Sequence, residues 1–211
     1  MKCNRPICDR PLSLLGAGWL LLALFVGETG LLAVLPRVAP PVILGCLTAL
    51  LLGAYFLRSA FRREVDLLSD RQLVAIHLTR YVGVYLLILG SRGELEADFA
   101  VFAGWGDIAI ATGALLLVTF PAPRWVMAIW NIVGFTQMLL VVARSTSLRL
   151  SDADSLAEFE RLPLSFLPTM LVPIILAAHV ILFLRLLRRP MIDRETDQSD
   201  VLSLREESGR G

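Results

Sequence analysis

The sequence predicts an all-α integral membrane bundle of about six transmembrane helices, and three observations carry that reading. Hydrophobic residues make up 56% of the chain, giving a mean hydropathy of +0.69. Charged residues make up 18%, against about 25% in soluble domains. Those charges gather at 1–10, 58–71, 92–98, 144–161 and 185–211. Between them lie apolar runs that supply the roughly 20 residues a helix needs to cross hydrocarbon. A closed barrel is the other spanning solution. Its alternating segments of about ten residues do not fit runs such as LLALFVGETGLLAVL.

The elements follow in order. Residues 1–12 form a cytoplasmic tail, and 13–188 form the membrane domain. Lys2, Arg5 and Arg10 ahead of an apolar stretch resemble a signal peptide. The stretch exceeds the usual 7–15 residues and lacks a small-residue cleavage site, so it reads as the first span, 13–35. Pro36, Pro40 and Pro41 end it and open the second, 41–61. "ILGC" ending at Cys46 resembles a lipoprotein cleavage box, but it lies too far along the chain. Residues 58–71, RSAFRREVDLLSDR, form the main inner loop, where Ser69 and Gln72 make a capping box that starts the third span, 71–90. Glu94, Glu96 and Asp98 precede the fourth span, 99–120, where acids favour a helix N-terminus. FPAPR is a tight turn into the fifth, 124–143. Arg144 to Arg161 is the longest outer loop, with a second capping box from Ser155 to Glu158 opening a short surface helix. The sixth span, 163–187, starts at Pro163 and should bend at Pro168 and Pro173. The polar segment 189–211 reads as a disordered cytoplasmic tail. No internal repeat is visible.

Basic residues orient the bundle. Lys2, Arg5, Arg10, Arg58, Arg62, Arg63, Arg71, Arg124, Arg185, Arg188, Arg189, Arg194, Arg205 and Arg210 fall on one side. Arg37, Arg92, Arg144, Arg149 and Arg161 fall on the other. The positive-inside rule puts both termini in the cytoplasm. Cys3 and Cys8 lie in a reducing compartment and make no zinc site by themselves. The net charge of +1 points to no partner: membrane lipids surround the chain, and no nucleic acid is expected.

Ionisable and amide side chains inside spans are costly, usually face protein or water, and usually have a partner. Here they are Glu28, His77, Arg80, Asp107, Asn131, Gln137 and His179. At 1.5 Å per residue, His77, His179, Asn131 and Arg80 fall at roughly 7–12 Å from the cytoplasmic edge, and Asp107, Gln137 and Glu28 at roughly 18–22 Å. Arg80 and Asp107 then differ in height by roughly 6 Å, within reach of an extended arginine. Two parallel hydrogen bonds would keep both ionised. Asp107 shares a face with Ala103, Ala111 and Ala114, the small residues of close helix contact. Asn131 and Gly134 share another face.

His77 lies three residues before Arg80 on the same face, and His179 reaches a similar depth from the last helix. Such a pair could relay protons, contribute to a metal site or ligate a haem. With two histidines and no attachment motif, no cofactor and no metal are expected. A hydrogen bond to a neighbouring helix is the plainer role for each. Trp125 suits an interface. No phosphate loop, HExxH, GxSxG or paired CxxC is present, so the chain does not read as a recognisable enzyme.

HLTRYVG, ADFAVFAGWGDIAIATGA, WNIVGF and LPTMLVPIILAAHV, spread over roughly 70–185, resemble a group of uncharacterised bacterial multi-pass membrane proteins. The resemblance implies a location in the bacterial cytoplasmic membrane and no established activity. Two functional expectations stand side by side. One is binding or movement of a small solute or protons through the polar cluster. The other is a scaffold or accessory subunit whose Arg80–Asp107 pair only ties helices together.

Overall fold

The computed structural model describes residues 10–151 and 154–188. Residues 1–9, 152–153 and 189–211, including both expected cytoplasmic ends, lie outside the described residues. Among those described, all regular structure is helical. The helices are α1 Arg10–Thr29, α2 Leu31–Val34, α3 Ala39–Leu57, α4 Ser59–Leu67, α5 Asp70–Ala75, α6 Gly83–Ser91, α7 Ala97–Thr119, α8 Arg124–Ser151 and α9 Leu167–Arg188. A 3-10 stretch, Ile76–Val82, joins α5 to α6 in one rod, Asp70–Ser91. Among the described residues five helices are long and apolar enough to cross a membrane: α3, the Asp70–Ser91 rod, α7, α8 and α9. The apolar part of the first, Leu14–Thr29, is shorter.

Local sequence explains most helix ends. Ser69 Oγ accepts the Gln72 amide at 3.2 Å while Gln72 Oε1 accepts the Ser69 amide at 2.8 Å, completing the expected box. Glu96 caps α7 by accepting the Phe99 amide at 2.5 Å. The first span breaks at Gly30, whose φ of 62° belongs to the left-handed region that glycine enters without a Cβ penalty.

Two expected loops are helical instead. Within the inner loop, α4 turns Phe61 and Val65 onto the cluster around Tyr55, Leu73, Leu182 and Leu186. Arg185 then ties the end of α4, donating to the Val65 and Leu68 carbonyls at 2.6 Å each. The fifth span likewise does not stop at 143, because ARSTSLRLS continues as helix to Ser151. It contains no glycine or proline to end it. The expected outer helix is a 3-10 segment, Asp154–Glu160. The side chain of Ser155, the expected cap, lies outside the described residues.

Helix α9 is the centre of the bundle, with half of its membrane window buried, whereas α3 is peripheral at 11%. Its first turn, Leu167–Leu171, is a π-helix. Pro173 has no N–H for the carbonyl of Thr169. The indole of Trp19 on α1 fills that vacancy at 2.9 Å, so a proline on the last helix fixes where the first one docks. The rod and α7 cross at Gly83 and Gly104, where a Cβ on Gly83 would meet the Gly104 carbonyl oxygen and one on Gly104 would lie 2.7 Å from Leu87. Their approach is backbone to backbone.

Candidate functional site

The 3-10 stretch has three residues per turn, so side chains three apart eclipse. It thereby sets His77 and Arg80 on one line, both fully buried. The glycine crossing lets α7 bring Asp107 beside Arg80. Arg80 Nε and Nη2 donate to the same oxygen, Asp107 Oδ1, at 2.9 and 2.7 Å. Nη1 donates to the Gly134 carbonyl at 3.2 Å, and Nη2 also to Gln137 Oε1. The expected pair is therefore present, with one geometric correction. The guanidinium does not fork onto two carboxylate oxygens, because Gly134 and Gln137 of α8 claim its other edge. Ala103, Ala111 and Ala114 are fully buried on the Asp107 side of α7.

A second layer adjoins the first. Asn131 Nδ2 donates to the His179 carbonyl at 3.0 Å, which turns Asn131 Oδ1 toward His179 Nδ1 at 2.8 Å. Nδ1 is then the protonated nitrogen, and Nε2 carries the lone pair. The His77 ring lies against that of His179, centroids 4.1 Å apart, and edge-on to Trp130 at 5.1 Å. Both histidines face the interior. Contact this close leaves no space for a porphyrin between the rings. Gly134 joins the layers: its carbonyl serves Arg80, while a Cβ there would lie 2.8 Å from His179 Cε1.

The histidines differ in how they are satisfied. His179 has the bond to a neighbouring helix that the sequence suggests. His77 does not: among the described residues neither of its ring nitrogens has a hydrogen-bond partner, nor has His179 Nε2. A buried polar atom left unpaired costs about 1–3 kcal/mol, so the His77 environment is an expensive one. Glu28 does not join the cluster; it is exposed near the end of α1. Among the described residues no three His, Cys, Asp or Glu side chains converge as a metal site.

Asp107 and Arg80 also form part of the wall of a cavity of about 70 Å³. The remaining wall is apolar for the most part, including Leu86, Phe99, Met138 and Val172. A second cavity, about 60 Å³, shares Leu44, Val142, Ser145, Phe159 and Pro168 with the first, so the two adjoin. It reaches Arg149, whose Nη2 pairs with Glu160 at 2.8 Å and donates to the Leu32 carbonyl at 3.4 Å. Sequence reasoning put Arg149 in an outer loop and missed it. Its signal was present, since Arg149 follows Met138 by eleven residues, close to three whole helical turns, once α8 is allowed to continue.

Family comparison gives one result. Residues 38–187 match the family described as Domain of unknown function (DUF8737), and the chain belongs to that family. The match takes in α3 and nearly all of α9 and leaves α1 outside, so it extends beyond the 70–185 resemblance to include the second span. No curated protein and no solved structure matches the chain.

Proposed function

We propose that this family member is a six-span protein of the bacterial cytoplasmic membrane, both termini inside, that binds or moves a small solute or protons past Asp107. The five membrane-length helices, with α1 as a sixth, support the span count. The division of basic residues supports the orientation. One observation carries the functional part: Asp107 is both tied to Arg80 and part of a cavity wall. Arg80 bonds Oδ1 and not Oδ2. A carboxylate so held keeps its place while one oxygen stays available to a proton, a water or a solute.

The scaffold reading has its own support in the bonds from Arg80 to Asp107, Gly134 and Gln137. Solvent access separates the two. In a cysteine-free background, Ser145→Cys and Met138→Cys line the cavity, and Ser151→Cys is an exposed control. A small methanethiosulfonate applied to intact cells should modify Ser145→Cys readily and Met138→Cys more slowly. Modification of the control alone would sink the solute reading and leave the scaffold.

A further inference from the structure

We propose that α4 is a docking surface for an acidic phospholipid, its phosphate held by Arg58, Arg62 and Arg63 and its acyl chains covering Leu57 and Leu67. Position is the first ground. Helix α3 ends at Leu57, the rod begins at Asp70, and both are long and apolar enough to cross hydrocarbon. The nine residues of α4 therefore lie where those two leave it. Phe61 and Val65 turn inward onto the cluster around Tyr55. Arg58, Arg62 and Arg63 are exposed. Leu57 and Leu67, at the two ends of α4, are 83% and 78% exposed, and lipid is the natural cover for leucines so placed. Helix α3, which leads into them, is itself peripheral.

Charge selects the occupant. Helix α4 carries its charges in the reverse of the order that a helix dipole favours, with arginines first and Glu64 and Asp66 after them. It starts with no side-chain cap and no acid in its first turn. The Arg62 amide donates to the Arg58 carbonyl at 3.0 Å, so these two like charges leave the backbone one turn apart and repel. Among the described residues, the side chains of Arg58, Arg62 and Arg63 make no hydrogen bond or ion pair. The acids nearby are turned to α9 and Tyr55. Asp66 accepts from the Tyr55 hydroxyl at 3.1 Å and lies 3.6 Å from Arg185, while Asp70 lies 3.3 Å from Arg185. Glu64, the other acid of α4, can offset one of the three charges. A phosphate removes the conflict, since arginine and phosphate form charge-assisted hydrogen bonds. Basic residues beside a membrane span attract acidic lipid in the same way. A phosphate that carries acyl chains also covers the two leucines, which a free anion does not.

The test uses the full-length protein purified in a maltoside detergent. Palmitoyl-oleoyl phosphatidylglycerol, and phosphatidylcholine with the same chains, are each titrated in, and bound lipid is read by native mass spectrometry. Phosphatidylglycerol should bind more tightly than phosphatidylcholine. Near a lipid surface one arginine is worth about fivefold in affinity. Arg62→Gln and Arg63→Gln should therefore each weaken phosphatidylglycerol by about fivefold and leave phosphatidylcholine unchanged. Arg37→Gln and Arg92→Gln, at exposed arginines outside α4, should leave both lipids unchanged. Glu64→Gln removes the opposing charge and should tighten phosphatidylglycerol, a gain that misfolding cannot imitate. Glycerol 1-phosphate in hundredfold excess should fail to displace the lipid. Equal affinity for the two lipids overturns the proposal. So does a preference that survives Arg62→Gln and Arg63→Gln, or one that falls as far with Arg37→Gln or Arg92→Gln. Weaker binding to Glu64→Gln removes the charge argument. Displacement by glycerol 1-phosphate makes the surface a site for soluble anions and rejects the lipid.

Discussion

Replacing Asp107 by Asn and by Leu should give two different losses, and the geometry predicts their order. Both bonds from Arg80 land on one oxygen. The amide oxygen of Asn can occupy that place and accept both, so Asp107→Asn removes charge but not the hydrogen-bond pattern. Asp107→Leu removes both. Interhelical polar bonds in membranes average about 0.6 kcal/mol and reach about 1.7. Two such bonds amount to about 1–3 kcal/mol, below the 3–5 kcal/mol of broken buried pairs in soluble proteins. Arg80→Gln should cost most, because it strands the carboxylate and also leaves the Gly134 carbonyl and Gln137 Oε1 without their donor. The expected order is Arg80→Gln, then Asp107→Leu, then Asp107→Asn. Unfolding by SDS titration in mixed micelles, followed by tryptophan fluorescence, measures each loss. The double variant Arg80→Gln with Asp107→Asn should lose less than the sum, with a coupling of about 1–2 kcal/mol. Losses that add to within about 0.5 kcal/mol, or an Asn variant as damaged as the Leu variant, would refute direct pairing through Oδ1.

Three further outcomes are expected. Gly83→Ala should lower the unfolding midpoint sharply, since its Cβ meets the Gly104 carbonyl and overpacking costs about 1–3 kcal/mol. Gly45→Ala and Gly53→Ala, with nothing within 4 Å of the new Cβ, should leave the midpoint unchanged or raised. Trp19→Phe should cost about 0.5–1.5 kcal/mol through the orphaned Thr169 carbonyl; in a Pro173→Ala background, where a helical N–H is restored, the same substitution should cost less, and an equal cost there disproves the link. For topology, a cysteine at Ser151 should react with an impermeant reagent in intact cells while one at Ser199 stays protected; the reverse pattern inverts the bundle.

What the sequence makes legible here is local chemistry and depth. The Ser69–Gln72 box can be read from four letters because its bonds lie within one turn. The Arg80–Asp107 pair can be read because a helix converts residue number into height, and two opposite charges at similar heights in hydrocarbon have few other options. Facing is harder. Glu28 shares its estimated depth with Asp107, yet it is exposed because α1 meets the bundle elsewhere, through Trp19. That contact depends on Pro173, 154 positions away, and no local pattern announces it. The same holds for Arg149, which hydropathy assigns to a loop because the end of α8 is polar.

Gly134 explains why the cluster is one site rather than two. Its carbonyl takes an N–H from Arg80 at 3.2 Å, and its bare Cα accepts the edge of His179. Any side chain there would push α9 away from α8 and carry His179 from Asn131. The first turn of the last helix is the π-turn at Leu167–Leu171, whose Pro168 forms part of both cavity walls. The Gly134 contact at His179 and the π-turn at Leu167–Leu171 thus sit on the same helix. The two cavities beside that turn run from Arg80 and Asp107 to Arg149, so the solute proposed above would meet Asp107 without disturbing the layer that holds the histidines.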